Sequence, residues 1–486
     1  MKNVPAARRA RFAAMLAMIV AGSFSGLRSQ NAAAPDTTTD PVSEWRWHDQ
    51  SAEYFGAPLD DATVIRVTNL DSSGPGSLRE ALETEMEGAR LIVFEVGGVI
   101  DLGGRGIKIR HEGTWIAGQT APAPGVTLIR GGLSIEASHV ILQHLRVRPG
   151  DRGDPEKKKW EPDGISTGGP IRDVLVEHCS VTWSVDENLS ASSYGAPEGE
   201  GARRIAFREC LVAEALNHAT HGEGEHSKGS LVLDGTHEVA IVGCLYAANV
   251  ERNPVFKLDT SGVVVNCVMA CNGQRAIHAS VPEADYPGKP ARLAVVGNTV
   301  LLGPDSKTSS AIFEGTAEGY FRDNAGADAE GRPLPELRRT FSTLKKPPVW
   351  PLGLPVKPAA AAAWHVARFA GARPAERDPI DRRIVERAMS GELRVIDSQE
   401  QVGGYPKAEP PVVVALEVPE KQRDVWLEDL ARAVEGRTQI RATSKRPGDL
   451  AHFAAATVHP LATAAAVAAF DRGGNAIDGA IAAAVT

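Results

Sequence analysis

Six side chains in this sequence could work together on an anionic substrate: Asp163 in "EPDGIS", Asp186 and Glu187 in "WSVDENLS", Lys228 in "EHSKGSLVL", and Arg252 and Lys257 in "NVERNPVFK". Carboxylates are the oxygen ligands that a hard divalent cation takes, and such an ion grips a substrate carboxylate and makes the adjacent C–H more acidic. A base then removes that proton, which is β-elimination on a uronate polymer. Arginine is ordinarily too basic for this task. As the base, Arg252 needs a site where neighbouring cations and the metal favour its neutral form. Lys228 and Lys257 supply part of that field and hold the anionic sugars. Each residue alone has a plainer reading: Asp163 as a turn residue, Asp186 as a corner cap, Arg252 as a solvated charge. Those readings do not explain why Pro254, Lys257 and a shared repeat phase accompany them.

Residues so far apart in sequence meet only if the fold stacks them. The segments "HVILQHLRVRPG" (139–150), "DVLVEHCSVTWS" (173–184), "RIAFRECLVAEA" (204–215), "EVAIVGCLYAAN" (238–249), "GVVVNCVMAC" (262–271) and "RLAVVGNTVLLG" (292–303) each read as strand, corner, strand. Their corner residues, Cys179, Cys210, Cys244, Cys267 and Asn298, recur every 23 to 34 residues, the period of coils stacked along one axis. The thiols are expected to form an interior ladder that Asn298 continues, with disulfides between adjacent coils left open. Irregular repeat length and turn-rich loops suit a parallel β-helix better than leucine-rich or propeller repeats, with a sandwich as the alternative. Equivalent positions on neighbouring coils then lie about 4.8 Å apart, close enough for the six residues to converge.

Other segments fit around that solenoid. "GSLREAL" (76–82), with Ser77 and Glu80, predicts an N-capped helix that covers the open first coil, whose strand edges are otherwise unpaired. From about 304 the repeat fades into the Pro-rich "KKPPVWPLGLPVKPAAAAAW", read as a wrap or linker. "DRRIVERAMSG" (381–391) predicts a short helix facing inward through Ile384, Val385 and Ala388.

The 486 residues are 43% hydrophobic and 23% charged, a globular composition. A net charge of -8 gives no pull toward nucleic acid, so no nucleic-acid partner is expected. Lys2, Arg8, Arg9 and Arg11 precede the apolar run "FAAMLAMIVAG", which predicts an export signal over 1–34. The run is short for a membrane span. The mature protein is therefore expected to be secreted or periplasmic, off the membrane, and monomeric. "NHATHGEGEH" holds His218, His221 and His226, but their spacing matches no common zinc pattern, and Gly222 and Gly224 mark a loop. A transition-metal reading is set aside on that ground. "KKK" at 157–159 reads as a solvated loop beside Asp163.

Taken together, "VTNLDSSGPGSLREAL", "HCSVTWSVDENLS", "AEALNHATHGEGEHSKGSL", "RNPVFK" and "DRRIVERAMSGELRVIDSQEQVGGYP" resemble the pectate lyase family, in its bacterial exported branch, over about 45–406. The resemblance implies an all-β, right-handed parallel β-helix over 45–410, with an N-terminal capping helix and a C-terminal wrap. It also implies calcium (Ca2+) as cofactor and a pectate-like polyuronate polysaccharide as substrate. It carries the family's calcium ligands onto Asp163 and Asp186, its catalytic arginine onto Arg252 with Pro254 in place, and its substrate lysine onto Lys228. Two positions depart from the pattern. Ser190 stands where the family often has a second acid, so Glu187 is expected to substitute. Lys257 stands for a second arginine, which keeps the charge and loses the bidentate fork. A polygalacturonase-like hydrolase using Asp163 and Asp186 as acid and base, or a non-catalytic carbohydrate-binding or adhesion β-helix, are the alternatives. After an expected linker at 411–450, "TVHPLAT" and "GGNAIDGAIAAAVT" in the tail 451–486 resemble the opening of the gamma-glutamyltransferase large subunit. That stretch is expected to be helical and without transferase activity, because the family's threonine nucleophile comes from far downstream of it.

Overall fold

The structure is a computed structural model that describes residues 45–152, 160–197, 199–233, 235–280, 289–338, 342–407 and 409–437. The leader expected at 1–34, the lysine run at 157–159 and the tail at 451–486 lie outside the described residues.

Three sheets, of eleven, nine and ten strands, wind along one axis as a parallel β-helix. In the eleven-stranded sheet, Arg172–Glu177, Arg203–Arg208, His237–Val242 and Ser261–Val265 stack in parallel register. Val174, Ile205 and Val239 point into the tube. Their neighbours Leu175, Ala206 and Ala240 face outward into a second apolar layer with Trp45, Phe55, Trp350 and Leu427. Burial on both faces is why these strands read as near-continuous apolar runs.

The corners explain the cysteine period. A residue in the left-handed region turns each coil just before the ladder position: His178 (φ 47°) before Cys179, Glu209 (φ 52°) before Cys210, Asn266 (φ 54°) before Cys267. The ladder is bonded as well as stacked. The N–H of Cys210 donates to Cys244 Sγ (3.4 Å), that of Cys244 to Cys267 Sγ (3.4 Å), and that of Cys267 to Asn298 Oδ1 (2.9 Å). All five cysteines are free and buried.

The column runs one coil further than the sequence reading, through Asn324, whose Oδ1 accepts from the Asn298 N–H at 3.1 Å. Strands continue to Ser342–Thr343, so the repeat does not fade at 304. The last full-length strand, Ala317–Arg322, leaves Glu318, Tyr320, Phe321 and Arg322 partly exposed. The polar residues among them, chosen for solvent, broke the apolar alternation on which that reading relied.

The ends and flanks are covered by helices. Ser77 caps Leu78–Glu83 by accepting from the Glu80 N–H at 3.2 Å, and Leu78, Ala81 and Leu82 close the first coil. The alanine run of the Pro-rich segment is a helix, Ala359–Phe369, rather than wrap, as alanine's propensity dictates once the prolines end. It packs with Pro379–Met389 over Leu245, Ala247 and Val268 of the ten-stranded sheet. Within the stretch expected as linker, Arg423–Glu435 is also helical, and Leu427, Ala431 and Val434 are its buried stripe.

Candidate active site

Four short strands of the nine-stranded sheet carry the site: Ile165–Thr167, Leu189–Ser192, Leu231–Leu233 and Val255–Phe256. Ile165 pairs with Leu189, Ala191 with Val232, and Leu231 with Val255. Just upstream of each strand stand, in turn, Asp163, Glu187, Lys228 and Arg252. Main-chain bonds tie these upstream residues into one row: Gly164 N–H to Glu187 O (2.9 Å), Asn188 N–H to Lys228 O (3.1 Å) and Gly229 N–H to Glu251 O (3.0 Å). On the last coil the register slips by one residue, for Lys228 lies opposite Glu251 whereas Leu231 lies opposite Val255. The extra residue is a bulge at Arg252, which takes φ 61° ahead of the cis Asn253–Pro254 bond. The bulge turns the guanidinium back onto the Glu187 carboxylate, with which it pairs.

Carboxylate oxygens of Asp163, Asp186 and Glu187 lie within 4.8 Å of one another. The Glu187 N–H donates to Asp163 Oδ1 at 3.1 Å. Withdrawal from solvent, and then the charge of Asp186, push Asp163 up to about 7. Burial pushes Asp186 the same way, but the hydrogen bond and charge of His226 outweigh it and hold Asp186 below the usual carboxylate range. Burial also lowers Arg252, against the pull of Asp186 and Asp163. Three crowded carboxylates, one of them forced toward its protonated form, are an all-oxygen donor set that a hard cation such as calcium fits. Ser190 stays out of the cluster, its Oγ accepting from the Leu231 N–H at 3.2 Å. Glu187 is in it.

Lys228 Nζ lies 3.2 Å from Glu251, which in turn faces Arg275 at 3.6 Å. Lys257 follows the strand that Arg252 precedes, and its N–H donates to Val232 O at 2.9 Å. The structure thus gathers Asp163, Asp186, Glu187 and Arg252, sets Lys228 in the same row and puts Lys257 at the far end of the strand.

Three features of the site lie outside the six residues picked from the sequence. His226 Nε2 is 2.7 Å from Asp186 Oδ1, His221 Nε2 is 3.9 Å from Asp186 Oδ2, and the two rings stack with centroids 3.6 Å apart. Only His218 of the trio turns away, to Asp397 and Glu225. The available signal was that this loop leads directly into Lys228. Glu251, beside Arg252, is the second feature. The third is a buried amide chain behind the row, with Asn188 Nδ2 donating to Asn249 Oδ1 (3.2 Å) and Asn249 Nδ2 to Asn253 Oδ1 (3.0 Å).

No protein-family model matches the chain. It is similar to the probable pectate lyase C of Aspergillus flavus, 30% identical over 263 residues that make up 53% of this chain and 55% of that one. The probable pectate lyase C of Emericella nidulans is 36% identical over 210 residues, 42% of this chain and 44% of the relative. That of Neosartorya fischeri is 28% identical over 370 residues, 73% and 80% of the two chains. The chain spans about half the length of the first two. Among solved structures, the cedar pollen allergen Jun a 1 superposes with a TM-score of 0.48 at 15% identity, over 64% of this chain and 89% of the allergen. In sequence, this chain is similar to fungal proteins named probable pectate lyase C.

Proposed function

We propose that the protein is an exported polysaccharide lyase that cleaves pectate-like polyuronate by β-elimination, with Arg252 as the base and calcium held by Asp163, Asp186 and Glu187. The observation that carries this reading is the convergence of three carboxylates, a desolvated arginine and a lysine on adjacent coils. Calcium bound there would neutralise the carboxylates and draw on the sugar carboxylate, making the neighbouring C–H more acidic. Burial disfavours the charged guanidinium of Arg252. Its pairing with Glu187 acts the other way, so Glu187 must turn from it before it can accept a proton. Lys228 and Lys257, set at opposite ends of the strand row, bind the sugar carboxylates along the chain. The relatives' names, probable pectate lyase C, point the same way.

The test is ultraviolet absorbance from polygalacturonate incubated with the protein in calcium, in chelator, and with the Arg252→Ala variant. A calcium-dependent rise that the variant loses is expected. New reducing ends without a rise in absorbance would instead identify a hydrolase.

A further inference from the structure

Asp186 faces two sets of donors. On one side are the carboxylates of Asp163 and Glu187, and on the other the imidazoles of His221 and His226. One ligand atom each from Asp186, His221 and His226 also lie within 4.8 Å of one another. The two histidines are held, not solvated, with side chains 8% and 5% exposed. The loop that carries them closes on itself, since the His226 N–H donates to Asn217 O at 2.9 Å and the Ser227 N–H to Leu216 O at 3.0 Å. Gly224, at φ 87°, supplies the reversal between them.

We propose that Asp186, His221 and His226 form a second cation site, for a borderline transition metal of the Zn2+ or Co2+ type. Two imidazoles and a carboxylate are a donor set such ions take, whereas hard ions prefer oxygen alone. The site shares Asp186 with the proposed calcium cluster but does not depend on calcium binding there. Sharing has a consequence: two cations drawn to one carboxylate repel each other at close range, so an ion held by the histidines weakens calcium binding and calcium weakens it in turn. Coordination through His221 Nε2 places the ring proton on Nδ1. That breaks the 3.1 Å contact from the Glu223 N–H, a change the exposed, glycine-flanked turn absorbs.

The experiment titrates the full chain with Co2+ and reads the visible d–d absorption, which strengthens when the ion leaves its octahedral aqua shell for a lower-coordinate protein site. One saturable equivalent is expected. His221→Ala and His226→Ala should each weaken it by more than ~10-fold, since losing even an outer-shell partner costs about that much. Asp163→Asn should leave it in place, which separates this site from the carboxylate cluster. Calcium should raise the Co2+ concentration needed, and failure to do so would overturn the sharing of Asp186. Circular dichroism establishes that each variant is folded, and His221→Gln provides a second, less disruptive change. A band that persists unchanged in the double histidine variant, or no saturable band, overturns the proposal. Co2+ binding that is lost in the histidine variants while calorimetry finds no calcium binding would sustain this site and remove the calcium reading.

Discussion

Lys228 stands between glutamates of the two adjacent coils, opposite Glu187 on one side and Glu251 on the other, and its Nζ lies 3.2 Å from the Glu251 carboxylate. Glu251 therefore aims the ammonium that the proposed reaction sets against a substrate carboxylate. Replacing Glu251 with Gln removes a charge-assisted contact and leaves the lysine stem free to wander. We expect kcat/KM on polygalacturonate to fall about tenfold, or ~1.4 kcal/mol, mostly through KM. Steady-state kinetics decide it, and an unchanged KM refutes the positioning role.

Arg252→Lys keeps a positive charge in the bulge but offers no guanidinium. If Arg252 takes the proton, this variant and Arg252→Ala should both lose at least ~100-fold in kcat, the scale of general-base catalysis. Calcium affinity by calorimetry should change little in comparison. A lysine variant that keeps most of its kcat would assign the proton transfer elsewhere.

Asn249 lies fully buried behind the row. It accepts from Asn188 and the Ala215 N–H and donates to Val212 O and Asn253. Asn249→Ala strands several buried polar groups at ~1–3 kcal/mol each. It should lower stability by ~3 kcal/mol or more in urea unfolding and loosen the corner that carries Arg252. Loss of under ~1 kcal/mol would mean that the coils relax around it.

His178 predicts a pH dependence of stability. Burial lowers its pKa, but Glu435 and Glu209 outweigh burial and raise it to about 9. Its Nε2 lies 2.7 Å from Glu209 and 3.4 Å from Glu435, with Glu177 further off. His365 and Arg437 face the same Glu209. His144, stacked on His178, is pushed down by burial. Since the folded value exceeds the unfolded one, the stabilisation is complete below about 6.5 and is lost as pH rises through about 9. Tm should fall across that window by an amount worth up to ~3 kcal/mol, and His178→Gln should flatten the fall.

Burial pushes the thiols of Cys179, Cys210 and Cys244 well above their ordinary range. All five cysteines should ignore a thiol reagent in the native protein and react together on unfolding. A rapidly labelled thiol without unfolding would contradict the ladder.

What the sequence made legible follows from which contacts repeat. The cysteine corners could be read because each ladder residue meets its own equivalent on the next coil, so one contact recurs down the chain. The row Asp163–Glu187–Lys228–Arg252 could be read for the same reason. The amide chain could not, because Asn188, Asn249 and Asn253 bond across coil positions that are not equivalent. Linear spacing says nothing about where His221 and His226 sit: the closure of their loop through Asn217 and Leu216 places them beside Asp186, and no ligand-spacing rule encodes it. The helix Arg423–Glu435 was lost among charged neighbours. Its stripe Leu427–Ala431–Val434 is narrow, and its last residue, Glu435, makes its key contact through charge.

The one-residue slip at Arg252 also has a mechanical side. Beside Asp163, Glu187 and Lys228 the chain is laced to the next coil by the N–H groups of Gly164, Asn188 and Gly229, and Ser230 N–H reaches Arg252 O at 2.5 Å. A force drawn along the axis would be carried by these laces one coil at a time, and the seam between Lys228 and Arg252 is where their spacing changes by one residue. Under tension that change of spacing would shift Arg252 against the carboxylates, so a tethered molecule that uses Arg252 as its base should lose activity before it unravels.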